Sequence, residues 1–121
     1  MRNKSKINEN YLDYIPRKSS KISTNHKEDG SLQLIVPRDS RFERIVRKIM
    51  ITPESFKIDL DEFGSFIWMS IDGERNVYQI AELVRDKFGD KAEPLYDRLI
   101  KFMVILENNK FIFMTNKDRN Q

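Results

Sequence analysis

Side chains able to do covalent or acid–base chemistry are few in this chain. It has one histidine, His26, and no cysteine. Thiolate nucleophiles, thiolate zinc sites and disulfide frameworks are therefore excluded, and a lone imidazole does not build a metal site. His26 stands in a polar stretch and reads as a solvated surface residue. Two carboxylate pairs occur, Asp59/Asp61 and Asp86/Asp90. Acid–base work needs two carboxyls whose surroundings hold their pKa values apart. Asp61 instead stands where a helix needs an N-cap, and Asp86/Asp90 read as a solvated helix end. The four glycines are scattered, so there is no Gly-rich phosphate loop. No catalytic residue, metal or cofactor is expected.

Residues suited to binding are better represented. Arg41, Arg44, Arg47 and Lys48 share one side of an amphipathic pattern. Arg98 and Lys101 are close neighbours on another helical stretch. Immediately after them, Phe102, Met103, Val104, Ile105 and Leu106 are apolar without interruption. Consecutive helical positions go round the whole circumference, whereas one core face takes only part of it. Val104 or Ile105 must therefore be covered by another element or line an exposed apolar groove.

The elements that would position these residues follow from periodicity and punctuation. Residues 1–16 read as an N-terminal tail, with an apolar docking cluster at Tyr11, Leu12, Tyr14 and Ile15. Lys21 to Thr24 suits a short edge strand, Glu28-Asp29-Gly30 a turn, and residues 31–36 alternate as a strand that Pro37 ends. Phe42, Ile45, Val46, Ile49 and Met50 have helical spacing. They predict an inserted amphipathic helix at about 40–51, stopped by Thr52-Pro53. Residues 55–60 alternate as a strand. Asp61 caps a helix running to about Ile71, and Asp72-Gly73 is a turn. Asn76 caps a second helix with the stripe Val77, Ile80, Ala81, Val84 and Phe88, closed by Gly89. Pro94 opens a third helix with the core face Leu95, Leu99, Phe102, Met103 and Leu106. Phe111 to Met114 is a final short strand, and residues 115–121 read as a disordered tail. The fold class is α+β and winged helix-turn-helix-like: an N-terminal three-stranded sheet, three helices, then a short C-terminal strand.

The chain has 121 residues with Lys+Arg 22 and Asp+Glu 19, a net charge of +3. Its pI is about 9.2 and its mean hydropathy −0.64. That size suits one domain. A basic pI and a helix-turn-helix pattern raise the alternative of a winged-helix DNA-binding transcriptional regulator. Position weakens it. Residues 1–29 carry a net +3, residues 30–60 a net +2 and residues 61–121 a net −2. The third helix offers Arg98, Lys101 and Asn108 against Glu93, Asp97 and Glu107, a poor surface for phosphates. Nucleic acid is not the expected partner. There is no apolar run of transmembrane length and no signal peptide, so the expectation is a cytoplasmic protein without a membrane partner.

The order IDLDEFGSFIWMSIDGERNVYQIAELVRDKFG, then AEPLYDRLIKFMVILENNKFI, resembles the PqqD family. These are small RiPP recognition elements that bind precursor peptides. The resemblance runs from Ile58 to Met114 through Leu60, a capped helix with Ile67-Trp68, Asp72-Gly73, Val77, Ile80-Ala81, and a Leu-Glu step before an apolar strand. It makes residues 17–114 a PqqD-like peptide-binding domain carrying the segment 39–53 as an addition. It implies a non-catalytic chaperone that binds the leader of a ribosomal precursor by strand addition. The chaperone would present that peptide to a modifying enzyme, typically a radical S-adenosylmethionine enzyme. The implied binding strand is Phe56, Lys57, Ile58, Asp59 and Leu60, and the implied helix face is Arg98, Lys101, Phe102 and Ile105. The two cations would favour an acidic leader. The chain would act as a monomer, or as a homodimer that exchanges the YLDYIP segment.

Overall fold

A computed structural model describes residues 11–37 and 55–116. The predicted helix at about 40–51, with Arg41, Arg44, Arg47 and Lys48, lies outside the described residues. The chain divides into two compact units, one of Ser20–Ser65 and one of Met1–Ser19 with Phe66–Gln121.

The first unit is built on a three-stranded antiparallel sheet of β2 (Ser23–His26), β3 (Leu32–Pro37) and β4 (Ser55–Asp59), in the order β2-β3-β4. Ser23 pairs with Ile35 and His26 with Leu32, while Gln33 pairs with Asp59 and Pro37 with Ser55. The β2–β3 turn forms because Lys27 and Ser31 close it (2.9 Å) and Gly30 takes φ 91°, a left-handed conformation that side chains resist. Asp29 Oδ1 secures the turn by accepting from both the Ser31 N–H (3.0 Å) and the Ser31 hydroxyl (2.6 Å). Alternation on β3 buries Leu32, Leu34 and Val36 and leaves Gln33 and Ile35 half-exposed. His26 ends a strand and is exposed there.

The second unit holds β1 (Tyr14–Lys18), preceded by a 3-10 turn at Tyr11–Asp13, then α2 (Val77–Phe88), α3 (Leu95–Asn108) and β5 (Ile112–Asn116). Helix α1 (Glu62–Ser70) begins in one unit and ends in the other. Strands β1 and β5 pair antiparallel, Ile15 with Thr115 and Lys18 with Ile112. Here the structure departs from the winged-helix expectation. A wing would pair the last strand in a hairpin, whereas β5 pairs with a strand from the N-terminal end of the chain. The YLDYIP segment therefore supplies a turn and half a sheet, and β5 runs through Thr115 and Asn116, past the expected start of a disordered tail.

Helix α2 carries the predicted cap: Asn76 Oδ1 accepts from Gln79 N–H and Gln79 Oε1 from Asn76 N–H, both at 2.8 Å. Helix α3 starts one residue after Pro94, which stands at its N-cap. Its C-terminus closes with Lys110 N–H on Glu107 C=O (3.0 Å) and Phe111 N–H on Leu106 C=O (2.9 Å), Lys110 taking φ 65°. This unit's core contains Tyr11, Ile67, Trp68, Val77, Ile80, Val84, Leu95, Leu99, Met103 and Ile112, each at 2% exposure or less. Phe66 and Phe88 meet edge to face at 5.6 Å, and the Lys18 ammonium lies 4.8 Å from the centre of the Trp68 ring. Burial against that ring lowers the Lys18 pKa, with Asp72 opposing the shift.

Candidate functional site

Among the described strands β4 lies at the edge of its sheet. Among the described residues only β3 pairs with it. The ladder shows which of its backbone groups face outward. Leu60 N–H donates to Leu32 C=O at 2.9 Å, so Leu32/Leu60, Leu34/Ile58 and Val36/Phe56 are the hydrogen-bonding rows of this register. Alternation then turns the N–H and C=O groups of Lys57 and Asp59 to the outer edge. Their side chains are exposed, while Ile58 and Leu60 are half-buried.

The inner end of this strand is finished by a side chain. Ser65 Oγ accepts from Leu32 N–H (2.9 Å) and donates to Leu60 C=O (3.3 Å). The hydroxyl thus takes the place of one ladder bond where the chain leaves β4 for α1. Asp61 holds the helix start, its Oδ1 accepting from Gly64 N–H at 2.7 Å.

Asp59 belongs to a polar row that crosses the exposed sheet face. Asn25 Nδ2 donates to Gln33 Oε1 (3.3 Å), Gln33 Nε2 donates to Asp59 Oδ1 (2.9 Å), and the Lys27 ammonium reaches the same oxygen (3.3 Å). The Gln33 bond, followed by Lys27, holds the Asp59 carboxyl below the usual carboxylate range. Sequence reasoning selected Asp59 and missed Asn25, Lys27 and Gln33. Gln33 was legible in part, because the alternation of β3 already placed it opposite the buried Leu32 and Leu34.

The helix residues lie on α3. Arg98, Lys101, Phe102 and Ile105 recur at intervals of three and four and so share one stripe, beside the buried stripe of Leu95, Leu99, Met103 and Leu106. Lys101 is exposed, Phe102 is half-buried and Ile105 is 52% exposed. The uninterrupted apolar run thus resolves into Met103 and Leu106 buried, Phe102 and Val104 half-buried, and Ile105 on the surface. Arg98 is engaged locally, its guanidinium donating to Lys91 C=O at 2.8 Å. That contact ties the helix to the preceding 3-10 turn at Gly89–Ala92. For Phe56 the structure describes the backbone alone.

Among the described residues no group of three His, Cys, Asp or Glu is placed to hold a metal ion. No helix among them is long and apolar enough to cross a membrane.

A search of curated proteins and a search of solved structures find no match. The comparison with protein families matches residues 47–112 to Coenzyme PQQ synthesis protein D (PqqD). The match begins inside the segment 39–53 that the sequence reading set apart as an addition, and it leaves β1, β2 and β3 outside. It takes in β4, the three described α-helices and the first residue of β5. This family is the RiPP recognition element family, associated with precursor-peptide binding. Its members are accessory peptide-binding proteins rather than catalysts, and family membership implies a precursor peptide and a modifying enzyme as partners. With more than half of its length matched, this chain belongs to the PqqD family.

Proposed function

We propose that this protein is a non-catalytic cytoplasmic carrier that binds the leader of a ribosomal precursor peptide by adding it as a strand to β4. It then presents the peptide to a modifying enzyme of the radical S-adenosylmethionine class. The observation that carries the reading is the open edge of β4 inside the family match. An unpaired edge offers N–H and C=O groups at fixed spacing. A peptide strand satisfies them whatever its sequence, and side-chain contacts add selectivity. Lys57, Asp59 and the flanking Phe56, Ile58 and Leu60 form the strand-side contact. Taken by itself, the other unit offers the Lys101, Phe102 and Ile105 face of α3 as a separate contact, in which Ile105 anchors an apolar side chain. Arg98 contributes to this separate contact while bonded to the Lys91 carbonyl.

The test is an NMR titration of the full chain with short peptides encoded beside its gene. The amides of Lys57 and Asp59 should shift most in the Ser20–Ser65 unit. Lys57→Pro removes an outward N–H without touching the β3–β4 ladder, so it should abolish those shifts. Ile105→Asp should weaken binding roughly tenfold or more, the value of burying one aliphatic side chain. Binding unaffected by Lys57→Pro would rule out strand addition at β4.

A further inference from the structure

The hydrogen-bond row on the exposed sheet face has a direction. Asn25 donates to Gln33, and Gln33 donates to Asp59. Each step moves one strand closer to the free edge of β4, and the row ends on a carboxylate. Asp59 Oδ1 takes both the Gln33 amide and the Lys27 ammonium. Asp59 Oδ2 accepts no hydrogen bond among the described residues. The row therefore stops one donor short, at the position a further strand would occupy.

Lys57 lies two residues away on the same face, exposed and opposite Ile35. It makes no ion pair among the described residues. The outward backbone groups of β4 belong to these same two residues. Any strand that bonds to this edge thus brings two of its own side chains, two positions apart, against Asp59 and Lys57.

We propose that Asp59 and Lys57 select the charge pattern of the bound peptide. Asp59 takes a donor side chain (Lys, Arg, Asn or Gln), and Lys57 takes Asp or Glu two positions away. This rests on the strand-addition reading and names the partner for that site: a peptide with a donor and an acid separated by one residue. The order of the pair reports strand direction. Donor before acid marks an antiparallel strand, and acid before donor a parallel one. Lys27 has a defined part, because its ammonium partly neutralises Asp59 and keeps a neutral amide competitive with a cation there.

The experiment is selection of a randomised peptide display library on the full chain. Parallel selections use Lys57→Pro as the edge-blocked control and Asp59→Lys as the charge reversal. Asp59 is exposed, so its substitution spares the core. Sequences whose enrichment Lys57→Pro abolishes should carry the donor–x–acid or acid–x–donor pair. Resynthesised peptides with Ala at either position should bind about two- to fivefold more weakly, as cross-strand pairs do. Asp59→Lys should convert the preferred donor to an acid. Edge-dependent enrichment without that spacing, or without reversal in Asp59→Lys, overturns this proposal and leaves strand addition standing. If Lys57→Pro enriches the same peptides as the unaltered chain, strand addition fails together with it.

Discussion

Ser65 shows how one hydroxyl can end a strand ladder. It is 6% exposed and is bonded to both Leu32 N–H and Leu60 C=O, so the β3–β4 ladder ends on a side chain. Replacing Ser65 with Ala would leave a buried donor and an acceptor without that partner. The expected cost is about 1–3 kcal/mol, read as a lowered urea midpoint at unchanged m-value. Hydrogen exchange at Leu32 should quicken in the same variant. An unchanged midpoint would mean that water replaces the hydroxyl and that β4 needs no such stop. Asp59 makes the complementary point. Its residue type advertises a solvated surface carboxylate, and its exposure agrees. What gives it direction is its place at the end of an amide row, visible only once the β2–β3–β4 register is known.

Among the elements, the helices follow from local rules. Asp61 and Asn76 stand at the N-caps the sequence assigns, and Gly89 at the C-cap of α2 takes φ 58°. The α3 terminus departs from the usual residue choice. The two capping bonds around Lys110 require a left-handed residue, and lysine occupies that position. A side chain there costs about 1–2 kcal/mol, partly offset in a glycine by its greater unfolded-state freedom. Lys110→Gly should therefore stabilise the protein by about 0.5–1 kcal/mol, seen as a higher thermal midpoint. A lower midpoint would show that the lysine side chain supplies more than its backbone conformation costs. The helix boundaries were legible because a cap acts within one turn of its helix. That Arg98, Lys101, Phe102 and Ile105 share one face of α3 was legible because they obey the same three-and-four spacing.

For the molecule as a whole, the pairing of β1 with β5 has the widest consequence. Thr115 Oγ1 donates to Ile15 C=O at 3.0 Å across a separation of 100 residues. Tyr11 is 1% exposed and Ile15 9% exposed, so the segment ahead of the family match contributes to the core. Deleting residues 1–16 should lower unfolding free energy by at least about 3 kcal/mol, the value of two buried apolar side chains. Chemical denaturation of the two chains measures it. An unchanged midpoint would show that β1 adds nothing to the Met1–Ser19 and Phe66–Gln121 unit. The basic character that first invites nucleic acid also changes meaning at this scale. The surplus sits in residues 1–60, and the residues that follow are net acidic. In the described part of the basic half, Lys27 is spent on Asp59 and Lys18 lies over Trp68.

From the sequence alone come the capped helices, the alternating strands at 31–36 and 55–60, the lack of any cysteine or second histidine, and the PqqD likeness. All of these rest on residue identity or on contacts within a few positions along the chain, where spacing and geometry are nearly the same statement. Only the tertiary structure decided that YLDYIP closes a sheet with β5 and that Ser65 terminates the β3–β4 ladder. It also decided that Arg98 is bonded to the Lys91 carbonyl and that Asp59 receives its amide from Gln33. Apart from the Arg98 bond, which reaches back seven residues, each of these depends on which distant backbone lies alongside. Strand partners are chosen by burial and register over the whole chain, so a strand's own sequence specifies its two faces and leaves its neighbours open.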